Sequence, residues 1–329
     1  MHQITRQTIR TIDELHFTGG LRGNRREGGW QIGPLLRDGN LVDIATVADE
    51  QIQAVAEDFG VRVFAADETT FEDPDLPIRI WRPFVGLDPD RELPTETWAN
   101  IAHHAMDASD QEYSSLARYV AVCLRASNIR LRDISDGYGA QLRSALNHKT
   151  EIGHPFQNIP LDNIYLAIHS FVAEMGAARD HLATIVGRQL GAPSNKDSLA
   201  RLCDWLDADA RREQAAHPAA KSLLAGWTDQ DDPWLRQLTD YRNLFLHRVP
   251  MGARGFESAP RLIASDSRHG EIRTLALPIP RRLDHDEAVD ALVQFIRLHW
   301  QLFHLAAELA GMSHYPATRR IVTGKDLGL

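Results

Sequence analysis

Apolar positions in the second half of the chain recur at helical spacing. Ile164, Ile168, Phe171, Val172, Met175, Leu182, Ile185 and Val186 follow the i, i+3, i+4 rhythm of one long amphipathic helix beginning near Leu161. Gly191-Ala192-Pro193 stops it, and Ser194 or Asn195 is available to cap a following helix that carries Leu199, Leu202, Cys203 and Leu206. A short helical turn is expected around Ala219 to Leu224. Another helix is expected from about Pro233 to His247, with Pro250 disfavouring its continuation. The rhythm then changes to two extended runs, Leu262 to Ala264 and Ile272 to Leu277, joined by a turn at Ser267 to Gly270. Together they predict a hairpin. A last long helix, from about Asp286 to Ala310, is expected to bury Val289, Leu292, Val293, Ile296, Phe303 and Ala306.

The first half reads differently. The pattern predicts a helix over Val47 to Phe59, a short strand at Val61 to Ala65 and an extended piece at Ile78 to Trp81. Helical pattern then runs from near Thr95 to about Leu146, interrupted at Gly137 and Gly139. The stretch from Gly19 to Gly29 is dense in Gly and Arg and predicts a flexible loop or hairpin. It lacks the Gly-Lys-Ser/Thr closure of a phosphate loop. His154-Pro155 to Pro160 is the best boundary. The expected fold class is therefore mainly α: a C-terminal four-helix-type bundle over residues 156–329 with an inserted β-hairpin, plus a mixed α+β N-terminal region over 1–155 that regulates or recognises.

Composition adds exclusions. With 43% hydrophobic and 25% charged residues the chain is neither disordered nor membranous. No run approaches the roughly 18 apolar residues of a membrane span, and Met1 to Arg10 has no signal-peptide core. A cytoplasmic protein with no membrane partner is expected. Cys123 and Cys203 lie far apart, without zinc-ligand spacing. The net charge of −9 argues against a polyanionic partner until its distribution is considered. From Leu41 to Asp110 there are sixteen Asp and Glu against four Arg, whereas from Arg242 to Arg282 eight Arg face Glu257, Asp266 and Glu271. One C-terminal segment is locally basic.

That segment opens within Asp240-Tyr241-Arg242-Asn243-Leu244-Phe245-Leu246-His247-Arg248. On an ideal helix Trp234, Leu238, Tyr241 and Phe245 share an inward face, with Arg236, Asp240, Asn243 and His247 opposite. Asn243 and His247 are four apart and can meet. Arg242 lies about 140° round from His247, so the two converge only if the helix end bends or a second copy contributes. The polar stripe also sits at a helix C-terminus, where the macrodipole favours a protonated imidazole.

Arg, a polar residue, three further residues and then His, late in a bundle helix, resembles the signature of the HEPN nuclease superfamily. The resemblance covers about 150 residues as architecture but only Arg242, Asn243 and His247 as motif. Members are typically metal-independent endoribonucleases that act as toxins or anti-phage defence effectors. They commonly dimerise to form one composite cleft. The resemblance implies an RNA substrate, a homodimer, an antitoxin or regulatory partner, and no cofactor or metal. Its chemistry would be attack of the ribose 2′-hydroxyl on the adjacent phosphate. His247 would move the proton, Arg242 would steady the phosphorane oxygens, and Asn243 would orient the imidazole or the phosphate. Arg248, Arg254 and Arg268 are candidate RNA-backbone contacts.

Competing readings remain open. A HEPN-like module without nuclease activity, binding a protein or nucleotide, fits the acidic total charge. The same Arg-to-His spacing occurs at Arg143…His148 and Arg212…His217. His103 and Asp107, at i,i+4, offer two metal ligands, too few for a site. His304 and Glu308 make an ordinary helix pair. Asp180-His181 reaches the cleft only if the bundle packs as the family does. Tyr241, beside the motif, is a position an antitoxin enzyme would modify. The Trp and Phe residues are scattered and form no stacking platform for single strands.

Overall fold

The computed structural model describes residues 9–44, 46–71, 78–83, 93–253, 259–280 and 288–319. In chain order these form β1 (Ile9–Phe17), β2 (Arg22–Arg26), β3 (Gly29–Gly33), β4 (Leu35–Arg37), β5 (Asn40–Val42), α1 (Ile52–Asp58), β6 (Val63–Phe71) and β7 (Ile78–Pro83). Helices follow: α2 (Pro94–Asp107), α3 (Gln111–Asn147), α4 (Leu161–Gln189), α5 (Leu199–Leu206), α6 (Arg212–Ala215), α7 (Pro218–Thr228) and α8 (Trp234–Asn243). After α8 comes a π-helical turn, Leu244–Arg248, then β8 (Arg261–Ser267), β9 (Gly270–Ala276), β10 (Pro278–Pro280), β11 (Ala288–Asp290) and α9 (Ala291–Gly311). The fold is mixed α+β with a helical majority.

The chain divides into two units, each gathered from three segments. Unit 1 takes 1–89, 128–168 and 249–296, and unit 2 takes 90–127, 169–248 and 297–329. Helices α3, α4 and α9 therefore supply residues to both.

In unit 1, five antiparallel strands pair in the order β3-β2-β1-β6-β7. The Gly/Arg-rich stretch is the β2–β3 hairpin of this sheet, the ordered alternative of the two expected there. Gly19 and Gly20 have φ of +73° and +89°, a left-handed backbone that suits glycine. A Cβ on Gly20 would also meet the Tyr138 carbonyl oxygen at 2.7 Å, so the turn before β2 can lie directly on α3. The expected strand at Val61 to Ala65 extends to Phe71, because β1 and β7 flank it and satisfy both edges. The expected C-terminal hairpin is present as β8–β9, closed by the Ser267–Gly270 pair.

Three local expectations need correction. Helix α3 runs unbroken through Gly137 and Gly139. Glycine weakens a helix by only about 1 kcal/mol relative to alanine, and tertiary packing overrides that here. Ile164 of α4 occupies the space beside Gly137, and the Arg22 guanidinium lies beside Gly139. Helix α9 begins at Ala291, with the preceding residues in β11. Its inward face carries Phe295, Leu298 and Leu302, while Val293 is 43% exposed. Neither Ser194 nor Asn195 caps α5. Its first amide, Leu199 N, instead donates to Asp180 Oδ1 at 3.1 Å.

The regular secondary structure described in unit 2 is all helical. The α4 face predicted from periodicity is buried, with Phe171, Val172, Met175 and Leu182 at 0% exposure. Trp98 of α2 donates its indole N–H to Ala306 O of α9 at 2.9 Å. Arg297 of α9 grips both oxygens of Asp232, each at 2.7 Å, in the turn between α7 and α8.

Candidate functional site

Helix α8 lies antiparallel along α4. Thr239 accepts a hydrogen bond from Arg179, Arg242 crosses over Gly176, and Phe245 stacks on His169 at 6.4 Å. The apolar face of α8 is inward as its sequence predicts. Leu238, Tyr241 and Phe245 are 0, 1 and 4% exposed, and the Tyr241 and Phe245 rings stack at 5.8 Å. The Tyr241 ring belongs to the core.

Arg242 and Asn243 close the α-helical part of this segment and are half-buried. His247 and Arg248 lie in the π turn and are exposed. In a π turn the hydrogen bonds span five residues rather than four, so each residue winds through a smaller angle. On ideal geometry such a turn would bring position 247 round nearer to position 242 than the roughly 140° of a straight α-helix. Periodicity alone had no signal for this change, because no proline or glycine marks it. Such turns within helices are frequent at functional sites.

Residues missed in the sequence come from α4. Arg179 is 3% exposed, donates through Nε and NH2 to Asp180 Oδ1 at 3.1 and 2.8 Å, and donates through NH1 to Thr239. Burial pulls its pKa down, Asp180 raises it, and the positive charge of Arg242 lowers it further. Arg242 is thus a second positive charge within electrostatic reach of Arg179. Its Nε is buried and has no hydrogen-bond partner among the described residues. A like-charged pair with one unpaired donor favours an anion between or beside its members. Asp180, weighed earlier as a cleft residue, serves Arg179 and the first amide of α5. His181 is turned to Tyr119, 5.3 Å between ring centroids, and burial lowers its pKa.

The remaining candidates have other surroundings. Arg254 lies outside the described residues. Arg268 sits in the β8–β9 turn of unit 1, where its Nε is 3.5 Å from Asp58. His148 shares a hydrogen bond with Ser144 O at 2.8 Å, one turn back on its own helix. His217 caps α7, accepting from Ala219 N at 3.3 Å. Glu308 accepts from Ser222 Oγ at 2.6 Å.

Unit 1 holds a second cluster. Ligand atoms of Glu14, His16 and Asp67 lie within 4.8 Å of one another, which is metal-like proximity. Three guanidinium groups already serve these carboxylates. Arg22 Nε is 3.1 Å from Glu14, Arg79 NH2 is 2.7 Å from Asp67, and Arg132 NH2 is 3.1 Å from each Asp67 oxygen. A dication there would face their combined charge. His16 also bridges Ser135 Oγ (3.0 Å) and Asp67 Oδ2 (3.4 Å), the connectivity of a nucleophilic triad. His16 and Ser135 are 0% exposed and Asp67 is 1% exposed, so no substrate reaches them. Desolvation lowers the His16 pKa despite the Asp67 bond. The cluster is a polar cross-link between β1, β6 and α3. Beside it, a cavity of about 210 Å³ is lined by Glu14, Gly20, Arg22, Pro34, Asp136, Gly139, Ala140 and Arg143.

Comparison with protein-family models, with curated proteins and with solved structures finds no match for this chain. No described helix is long and apolar enough to cross a membrane.

Proposed function

We propose that the chain is a metal-independent endoribonuclease of HEPN type, with Arg242, Asn243 and His247 as its reacting constellation. The observation that carries the reading is the π turn. It follows directly after Arg242 and Asn243, it carries an exposed imidazole, and the Nε of Arg242 has no hydrogen-bond partner among the described residues. The ribose 2′-hydroxyl loses its proton to an imidazole as its oxygen bonds to phosphorus. The P–O5′ bond then breaks, a proton passes to the leaving oxygen, and a 2′,3′-cyclic phosphate and a 5′-hydroxyl result. The nucleophile is internal to the substrate, so no metal-activated water is needed. Arg242 would hold the equatorial oxygens as negative charge builds on them. Asn243 would orient the imidazole or the phosphate. Arg248 is exposed beside His247 and would meet the RNA backbone. A homodimer would supply a second imidazole, so that one acts as base and the other as acid.

On this reading residues 156–329 are the four-helix-type bundle, and residues 1–155 recognise a trigger or bind an antitoxin-like regulator. The protein would be a cytoplasmic toxin or anti-phage effector. The net charge of −9 favours a second reading, a HEPN-like module that binds a protein or nucleotide without cutting RNA. The test is cleavage of bulk cellular RNA by the full chain in EDTA, beside Arg242→Ala and His247→Ala. Cutting by wild type that disappears in both variants is expected. Wild type that binds RNA or nucleotide but cuts nothing supports the binding module, and cutting that survives both substitutions removes these residues from the site.

A further inference from the structure

Gly176 lies in the interior of α4, where its backbone is helical and its φ is not positive. Nothing in the backbone calls for glycine there, and alanine would stabilise an unencumbered helix by about 1 kcal/mol. The neighbouring side chain supplies the reason. A Cβ at position 176 would stand 2.6 Å from Arg242 Cδ, 3.2 Å from Nε and 3.7 Å from Cγ. The Arg242 side chain lies directly across the bare backbone of α4, in the space a methyl group would fill. Other glycines in the described helices of unit 2 have different surroundings. Gly187 faces Leu202, Gly226 faces Trp234, and Gly311 at the end of α9 faces open space.

We infer that Gly176 is the positioning residue for Arg242. Its missing side chain lets the guanidinium lie low over α4 beside Arg179, and so sets where Arg242 meets the anionic group it serves. That service is phosphate stabilisation, so this part of the inference rests on the ribonuclease reading. A methyl group at 176 displaces the flexible arginine side chain rather than the helix. The fold survives, and the guanidinium moves by about the size of the group inserted. Misplacement of a catalytic group by about 1 Å lowers turnover by up to roughly 100-fold.

The experiment is a double-mutant cycle on the full chain: wild type, Gly176→Ala, Arg242→Ala and the double variant. Each is melted and each is assayed for RNA cleavage under single-turnover conditions. With Arg242 present, Gly176→Ala leaves the melting temperature unchanged or lower. In the Arg242→Ala background the clash is gone, and the same substitution raises the melting temperature by about 1–2 °C. In cleavage, with Arg242 present, Gly176→Ala lowers the rate at saturating RNA by roughly 10- to 100-fold with little change in half-saturation. A merely structural glycine would lower the melting temperature equally in both backgrounds. The inference is overturned if Gly176→Ala raises the melting temperature equally in both backgrounds, or cuts RNA like wild type. Wild type that cuts no RNA would remove the ribonuclease reading alone, and the melting cycle would still decide whether Gly176 sets Arg242.

Discussion

Replacing Asp180 with alanine removes the carboxylate bonded to a buried arginine. Arg179 is 4% exposed at its side chain and Asp180 is 20% exposed. Losing one partner of a buried ion pair costs about 3–5 kcal/mol, because the other charge remains uncompensated. The partial exposure of Asp180 lets water enter the vacated space and recover part of that cost. Leu199 N, the first amide of α5, loses its acceptor as well, which adds about 1 kcal/mol of helix-cap loss. The repulsion between Arg179 and Arg242 then acts without its balancing anion. A net loss of about 2–4 kcal/mol is expected, a large share of the 5–15 kcal/mol typical of folded proteins. Thermal melting and urea titration of the full chain would read it, with Asp180→Asn and Arg179→Met alongside. The asparagine keeps an acceptor for Leu199 N and should lose less. In the Arg179→Met background the cost of Asp180→Ala should shrink to about 1 kcal/mol, that of the cap alone. A loss below about 1 kcal/mol with Arg179 in place would refute the reasoning, because the arginine would then be solvated rather than buried.

His299 is fully buried between Phe171 and Phe303, and burial pushes its pKa down to about 3. The unfolded chain therefore binds a proton below about pH 6.5 that the folded chain refuses, and stability falls as pH drops through that value. Between about pH 7.5 and 5.5 this residue should account for about 1.4 kcal/mol, seen as a shallower pH dependence of urea unfolding in His299→Phe. An unchanged slope would mean the imidazole is not held neutral. Gly20→Ala combines a left-handed φ with a Cβ 2.7 Å from Tyr138 O, so a loss of about 1–3 kcal/mol is expected. A melting temperature equal to wild type would count against that packing. Ser135→Ala should leave any RNA cleavage intact while lowering stability by about 1–3 kcal/mol, because it strips a partner from buried His16. Lost cleavage with full stability would instead assign chemistry to the Ser135–His16–Asp67 chain.

Local pattern went furthest where one periodicity runs uninterrupted. The long helix α4, the buried stripe of α5, the inward face of α8 and the β8–β9 hairpin all follow from residue spacing and turn chemistry within a few positions. Each rests on interactions between near neighbours in the chain. β1 was not legible, because Ile9–Phe17 forms a strand through partners as distant as Phe71. The continuity of α3 through Gly137 and Gly139 was hidden for a similar reason. What fills the space beside those glycines is Ile164 and Arg22, from other elements.

The candidate site divides the same way. The sequence by itself determined that Arg242, Asn243 and His247 share one helical segment with an apolar back. It also showed that Arg242 and His247 converge only if the helix end bends or a second copy contributes. Tertiary structure alone decided that the helix ends in a π turn, and that α4 places the charged Arg179 within electrostatic reach of Arg242. It likewise decided that the opening for Arg242 is a glycine 66 positions earlier in the chain. Short-range periodicity reports which face a residue occupies. Which side chain from a distant element stands opposite, and whether space or charge awaits it there, depends on packing that no local spacing encodes.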